Sequence, residues 1–282
     1  MMTKTKINAI IKISVFGVIG LICLTILLSL LSDYSFGGIA FGKTRYYNVG
    51  DASIGDKSIN SITISWVDGE VNVETYDGET VEITETGATD DDNKLRWYVS
   101  GNNLDIVFRK SALLAFNVNY EKALTVKIPN SLLTNLQRLE IETVNSFVSI
   151  KDVSATQLDI ECVSQTAEIL NSTFDSVLIE GVSANVNFES NVNYFDVETV
   201  SGKINCKFLS NPQTVNIEAV SGNAEIYLNK NCGFTAIADG ISNKVTTDFA
   251  VTTIDGKITF GDGLTKIYLD NVSGKLAIKQ YE

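Results

Sequence analysis

The chain has 282 residues, 34 acidic and 22 basic side chains, a net charge of −12 and no histidine. Its acidity argues against nucleic acid as a partner, because phosphates are met by Lys and Arg. Without histidine there is no Ser-His-Asp or Cys-His machinery and no histidine-ligated metal.

Residues 1–12 carry Lys4, Lys6 and Lys12. From Ile13 to Leu31 no charged residue occurs, and Asp33 follows. As a helix this stretch would span about 28 Å, close to the ~30 Å hydrocarbon core of a bilayer. It reads as a transmembrane helix over 13–31, making the membrane a partner through a single-pass anchor. The lysines place residues 1–12 in the cytoplasm and all that follows outside the cell membrane. A cleaved signal peptide is the alternative; its apolar run should be shorter, and the nearest small-x-small site, Gly38-Ile39-Ala40, lies far from the run. Residues 32–60 are broken by Gly37, Gly38, Gly42, Gly50 and Gly55 and read as a stalk or linker.

Beyond residue 60 one tripeptide returns: Val144-Asn145-Ser146, Val163-Ser164-Gln165, Val182-Ser183-Ala184, Val200-Ser201-Gly202, Val220-Ser221-Gly222, Ile241-Ser242-Asn243 and Val272-Ser273-Gly274. The steps are 19, 19, 18, 20, 21 and 31 residues. A unit this short cannot bury an apolar face alone and must stack on its neighbours. Three residues before each Val or Ile stands an apolar residue (Ile141, Ile160, Ile179, Val197, Ile217, Ala238, Leu269), and one before it a mostly small one. After the turn, Val148, Ala167, Val186, Ile204, Ala224, Val245 and Leu276 open a second inward column, two residues before another. Alternation of period two predicts strands with these columns inside. The expected fold class is all-β: a parallel, β-helix-like β-solenoid with coils of about 19 residues, each of two short strands, plus the N-terminal transmembrane helix. Regular repeats are expected over 138–282. Residues 61–137, where Val67-Asp68-Gly69 and Val99-Ser100-Gly101 are looser versions, are expected to be irregular capping coils. Within the long last step, Ile254-Asp255-Gly256-Lys257-Ile258 reads as a degenerate extra turn.

The Val-Ser-Gly columns carry a resemblance. So do Asn231-Cys232-Gly233-Phe234-Thr235-Ala236 leading into Ala238-Asp239-Gly240-Ile241-Ser242, and Ile258-Thr259-Phe260-Gly261-Asp262-Gly263 ahead of Val272-Ser273-Gly274. Over about 60–280 the chain resembles a bacterial β-strand-repeat family of unknown function, adhesin-like and LiaG-like, related to the auto-transporter adhesin head domain. The resemblance implies a surface-exposed solenoid, often tied to envelope stress in Gram-positive bacteria, and brings no catalytic residues. Ile241-Ser242-Asn243 departs from the pattern, which would have glycine.

Two residues before each tripeptide stands an acid: Glu142, Glu161, Glu180, Glu198, Glu218, Asp239 and Asp270. Glu140, Asp159 and Asp196 form a partial second column. At the ~4.8 Å strand spacing such a ladder repels itself. The plain reading is a solvated outer face; the sharper one is a weak site for Ca²⁺ or Mg²⁺ or a dock for a cationic partner. Cys162 and Cys206 fall in inward columns and read as core, whereas Cys232 lies in a loop and is a candidate reactive thiol. No cofactor is implied. These features point to a non-enzymatic adhesin or cell-envelope interaction module whose partners are cell-wall or envelope components or another surface protein. The alternatives are a polysaccharide-active enzyme on a β-helix scaffold, which would need longer loops, and an accessory subunit of a membrane stress-sensing complex.

Overall fold

The computed structural model describes residues 46–88, 90–109, 122–240 and 245–282. Residues 1–12, the 13–31 helix and residues 32–45 of the 32–60 stalk therefore lie outside the described residues. Among the described residues no helix is long and apolar enough to cross a membrane.

The strands, in chain order, are β1 (Asn48–Val49), β2 (Ala52–Ile54), β3 (Ser61–Tyr76), β4 (Val81–Thr86), β5 (Arg96–Ser100), β6 (Asn103–Val107) and β7 (Ala123–Pro129). A short helix, α1 (Asn130–Leu133), follows. Then come β8 (Arg138–Lys151), β9 (Ser154–Phe208), β10 (Thr214–Asn229), β11 (Phe234–Gly240), β12 (Val245–Thr247), β13 (Thr252–Ile254), β14 (Lys257–Phe260), β15 (Thr265–Ser273) and β16 (Leu276–Tyr281). The all-β class is the observed one.

The solenoid is not. The strands form one sixteen-stranded mixed sheet that does not close on itself. Its middle is parallel and follows the repeat: Ile141 pairs Ile160, and Val197 pairs Ile217. Two features break the expected winding. First, repeats do not stack in chain order at the C-terminal end. The next neighbours of β10 are β15 and β16, and β11 and β12 lie outside them. Second, both ends turn antiparallel. At one end β3 carries β6, β5 and β1 along one half and β7, β4 and β2 along the other. At the other, β11 carries the β14–β13 hairpin. That hairpin is the supposed degenerate turn: Asp255 (φ 51°) and Gly256 (φ 78°) form a two-residue connection with positive φ at both positions, as type I′ requires. Nor are the units two short strands with a loop, because strand pairing runs unbroken through all 55 residues of β9.

The inward columns are buried. Ile141, Ile160, Ile179 and Val197 are fully enclosed, as are Val148, Ala167 and Ile204 beyond the tripeptide. Both halves of a repeat face the same interior: Phe188 lies 4.8 Å from Phe195 and 5.6 Å from Phe208, ring centre to ring centre. The tripeptide makes the corner. At its third position Gly202 has φ 150°, and a Cβ there would lie 1.9 Å from the carbonyl oxygen of Ala184 on the neighbouring strand. Gly222 does not adopt positive φ, and its nearest contact would be 3.2 Å. Gly202→Ala should therefore cost about 3 kcal/mol through strain and local strand separation, with Gly222→Ala well under half of that. Urea unfolding of the two variants measures the difference.

The ends are closed by aromatic clusters. Phe234, Phe249 and Phe260 cover one, with Phe249 and Phe260 4.8 Å apart. At the other, Trp66 meets Phe108 edge-on at 4.8 Å, and the ammonium of Lys122 lies 4.1 Å from the Phe108 ring centre. Lys122 is 1% exposed and pairs with the buried carboxylate of Glu85. Its Nζ also donates to the carbonyl oxygens of Asn93 (2.7 Å) and Phe108 (2.5 Å).

Candidate functional site: the acidic face

Residues in register across a sheet point to the same side, so the strand pairing decides whether the seven acids meet. Glu142 pairs Glu161, Glu198 pairs Glu218, Glu218 pairs Asp270, and Asp270 pairs Asp239. Glu180 lies between Glu161 and Glu198, close enough to raise the pKa of each. All seven therefore share one row. Its order in space is 142, 161, 180, 198, 218, 270, 239, because β15 separates β10 from β11.

The second column is also present, and it is partly neutralised. Asp159 is 5% exposed, and Arg138 donates to it at 2.8 Å and to Glu140 at 3.1 Å. Gln157 donates to Asp159, and Asn216 donates to Asp196 at 3.0 Å. At the β8 end of the first row Ser65 donates to Glu142 at 3.2 Å.

The outer face is less wet than a solvated row would be. Apart from exposed Asp239, the acids of the row are half-buried. Partial burial, then repulsion from Glu218, Asp196 and Glu180, pushes Glu198 up to about 7. Burial followed by Glu218 and Asp239 brings Asp270 to about 6. Glu161, Glu180 and Asp196 are raised too, burial being the main cause in each. The native row thus holds protons that the unfolded chain releases. Between about pH 4.5 and 7 the folded state binds more protons, so unfolding free energy must fall as pH rises. We expect the melting temperature to be a few degrees higher near pH 5 than near pH 8, and Glu198→Gln to flatten that slope. Equal melting at both pH values would contradict the row.

Among the described residues no group of three or more Asp, Glu or Cys side chains is arranged to hold a metal ion. The row is linear, with one carboxylate per strand, whereas Ca²⁺ needs six to eight oxygens converging at ~2.3–2.6 Å. The sequence did not reveal a neighbouring apolar strip on the same face. Ile254, Lys257, Ile237 and Tyr268 follow one another in register, and Ile254 (66%), Ile237 (42%) and Tyr268 (45%) are exposed. Period-two reading places them outside, but only the pairing brings them together.

Cys162 and Cys206 are buried as core, and burial pushes the Cys162 thiol up to about 12. Cys232 lies in the loop between β10 and β11, as expected, but not as an accessible thiol. It is fully buried, 3.4 Å from the hydroxyl of Thr265, and burial raises its pKa. A thiol held protonated away from solvent is a poor nucleophile.

No family model and no curated protein matches the chain, so the LiaG-like resemblance has no such match behind it. Solved structures do resemble it. One is a candidate adhesin from Bacteroides fragilis, 15% identical, TM-score 0.45, covering 84% of this chain and 98% of that one. Another is a candidate cell adhesion protein from Clostridium sporogenes, 13% identical, TM-score 0.36, covering 83% of this chain and 100% of that one.

Proposed function

We propose that the chain is a non-enzymatic binding module of the cell envelope, an adhesin-like protein that meets a cationic envelope component with the acidic face of its sheet. The reading rests on one observation: seven carboxylates in a single row, six of them half-buried, on an outward sheet face. Charge held in a fixed, partly desolvated row attracts an opposite charge more strongly than scattered surface acids do. Among the described residues, three clefts each carry a single acid from outside the row: Asp255, Asp262 and Glu74. A glycosidase instead needs two carboxyl groups facing each other across its substrate. Display outside the cytoplasm, drawn from Lys4, Lys6 and Lys12, belongs to the same proposal, and protease added to intact cells tests it.

The binding test is co-sedimentation of the 282-residue chain with isolated envelope fractions. Glu180→Gln combined with Glu198→Gln should weaken binding about tenfold, and added salt should weaken the parent chain similarly. Undiminished binding by the double variant would remove the acidic face from the function.

A further inference from the structure

The β13 strand forms one end of the sheet's main path and, among the described residues, pairs with β14 alone. Sheet edges are usually protected by charge, proline or a covering segment, because unpaired N–H and C=O groups recruit further strands. The β13 edge has neither charge nor proline: Phe249 to Ile254 contains no charged residue, and Thr252, Thr253 and Ile254 are all exposed.

The hairpin fixes which groups face outward. In a two-residue hairpin the residues flanking the turn, here Ile254 and Lys257, exchange hydrogen bonds, and the next pair does not. Thr253, opposite Ile258, therefore directs its N–H and C=O away from β14, toward the open side. Beside this edge lies a cleft of about 570 Å³ bounded by Ile237, Ile254, Thr252 and Lys257. Asp248 immediately precedes the uncharged run, Asp255 immediately follows it, and Asp239 stands two residues beyond Ile237 on β11.

We propose that the open edge of β13 takes up an extended strand from another protein, one alternating branched aliphatic with basic residues. Main-chain bonds to Thr253 would hold the strand, and alternate side chains would fill the Ile237–Ile254 cleft. A Lys or Arg at its end would meet Asp255, whereas the Asp248 carboxylate is held by the backbone N–H of Gln280 at 3.1 Å. A second copy fits less well. Antiparallel pairing of two β13 strands would join two chains that each carry −12. This inference goes beyond the envelope-binding reading, which is tested at Glu180 and Glu198, so either can fail alone.

The test is fluorescence anisotropy of a labelled eight-residue peptide alternating Val and Lys, titrated with the full chain. The peptide should bind, and a Val-Glu peptide should bind at least tenfold more weakly. Thr253→Pro removes the outward donor while sparing the β14 ladder, and should weaken Val-Lys binding at least tenfold. Unchanged affinity in Thr253→Pro would mean merely ionic attraction and would overturn the proposal, as would equal binding of the two peptides. If Thr253→Pro melts early, the neutral change Ile254→Ser at the exposed cleft wall gives the same readout: a tenfold loss supports the edge, no change overturns it. Dimers of the peptide-free chain that Thr253→Pro abolishes would overturn it in favour of a second copy.

Discussion

Ile217→Asp is expected to unfold the C-terminal half of the sheet, at a cost of at least about 5 kcal/mol. Ile217 is 2% exposed and sits between Val197 on β9 and Leu269 on β15, so a carboxylate there enters an apolar column with no donor to receive it. One residue on, Glu218 points the other way. Its charge helps raise the pKa values of Glu198 and Asp270. Glu218→Lys should therefore stabilise by up to about 1 kcal/mol, losing only a long contact from Asn216 at 3.4 Å. Thermal melting of the two variants compares faces separated by one position. Equal damage would mean that the inward and outward columns are misassigned.

The second large effect concerns Lys122. Removing one partner of a buried ion pair leaves the other charge uncompensated, at a cost of about 3–5 kcal/mol. In Lys122→Ala that charge is Glu85, whose other oxygen accepts from the backbone N–H of Leu95 at 2.8 Å. The void beneath Trp66 and Phe108 adds to the loss. We expect a fall in melting temperature of about 10 °C. Lys122→Met with Glu85→Gln should recover most of it, because a stem of similar volume fills the void and the charge is gone. If the double variant melts no higher than Lys122→Ala, the ammonium's bonds to Asn93 and Phe108 matter more than the pair.

The columns were legible because two independent periods agree, alternation along each strand and the 18–21-residue step between strands. Ile160, Ile179 and Val197 could hardly lie anywhere but inside. Neighbour order was not legible. Nothing in Val272-Ser273-Gly274 says that its strand pairs with Val220-Ser221-Gly222 rather than with Ile241-Ser242-Asn243, since every rung presents the same apolar profile. Asp255-Gly256 was a readable hairpin signal, but the expectation of uniform coils absorbed it. Lys122 looked like any surface lysine, and its burial depends on Trp66 and Phe108 from distant strands. For the acidic row the membership was readable and the environment was not, because half-burial depends on how closely Tyr268, Asn216 and their neighbours stand beside it.

The insertion of β15 and β16 between β10 and the β11–β12 pair has a consequence for the newly made chain. On a ribosome the repeats emerge in order, and each can add to the edge left by the one before, as far as β10. There growth must stop. The true neighbour of β10 is residues 265–281, so β11 and its hairpin leave the ribosome with no permanent seat. A nascent chain halted near residue 260 would carry β11 and its hairpin without their β15 neighbour, loose beside a bare β10 edge. Such a chain should engage chaperones more strongly than one halted near residue 230, although it is longer and contains more of the sheet.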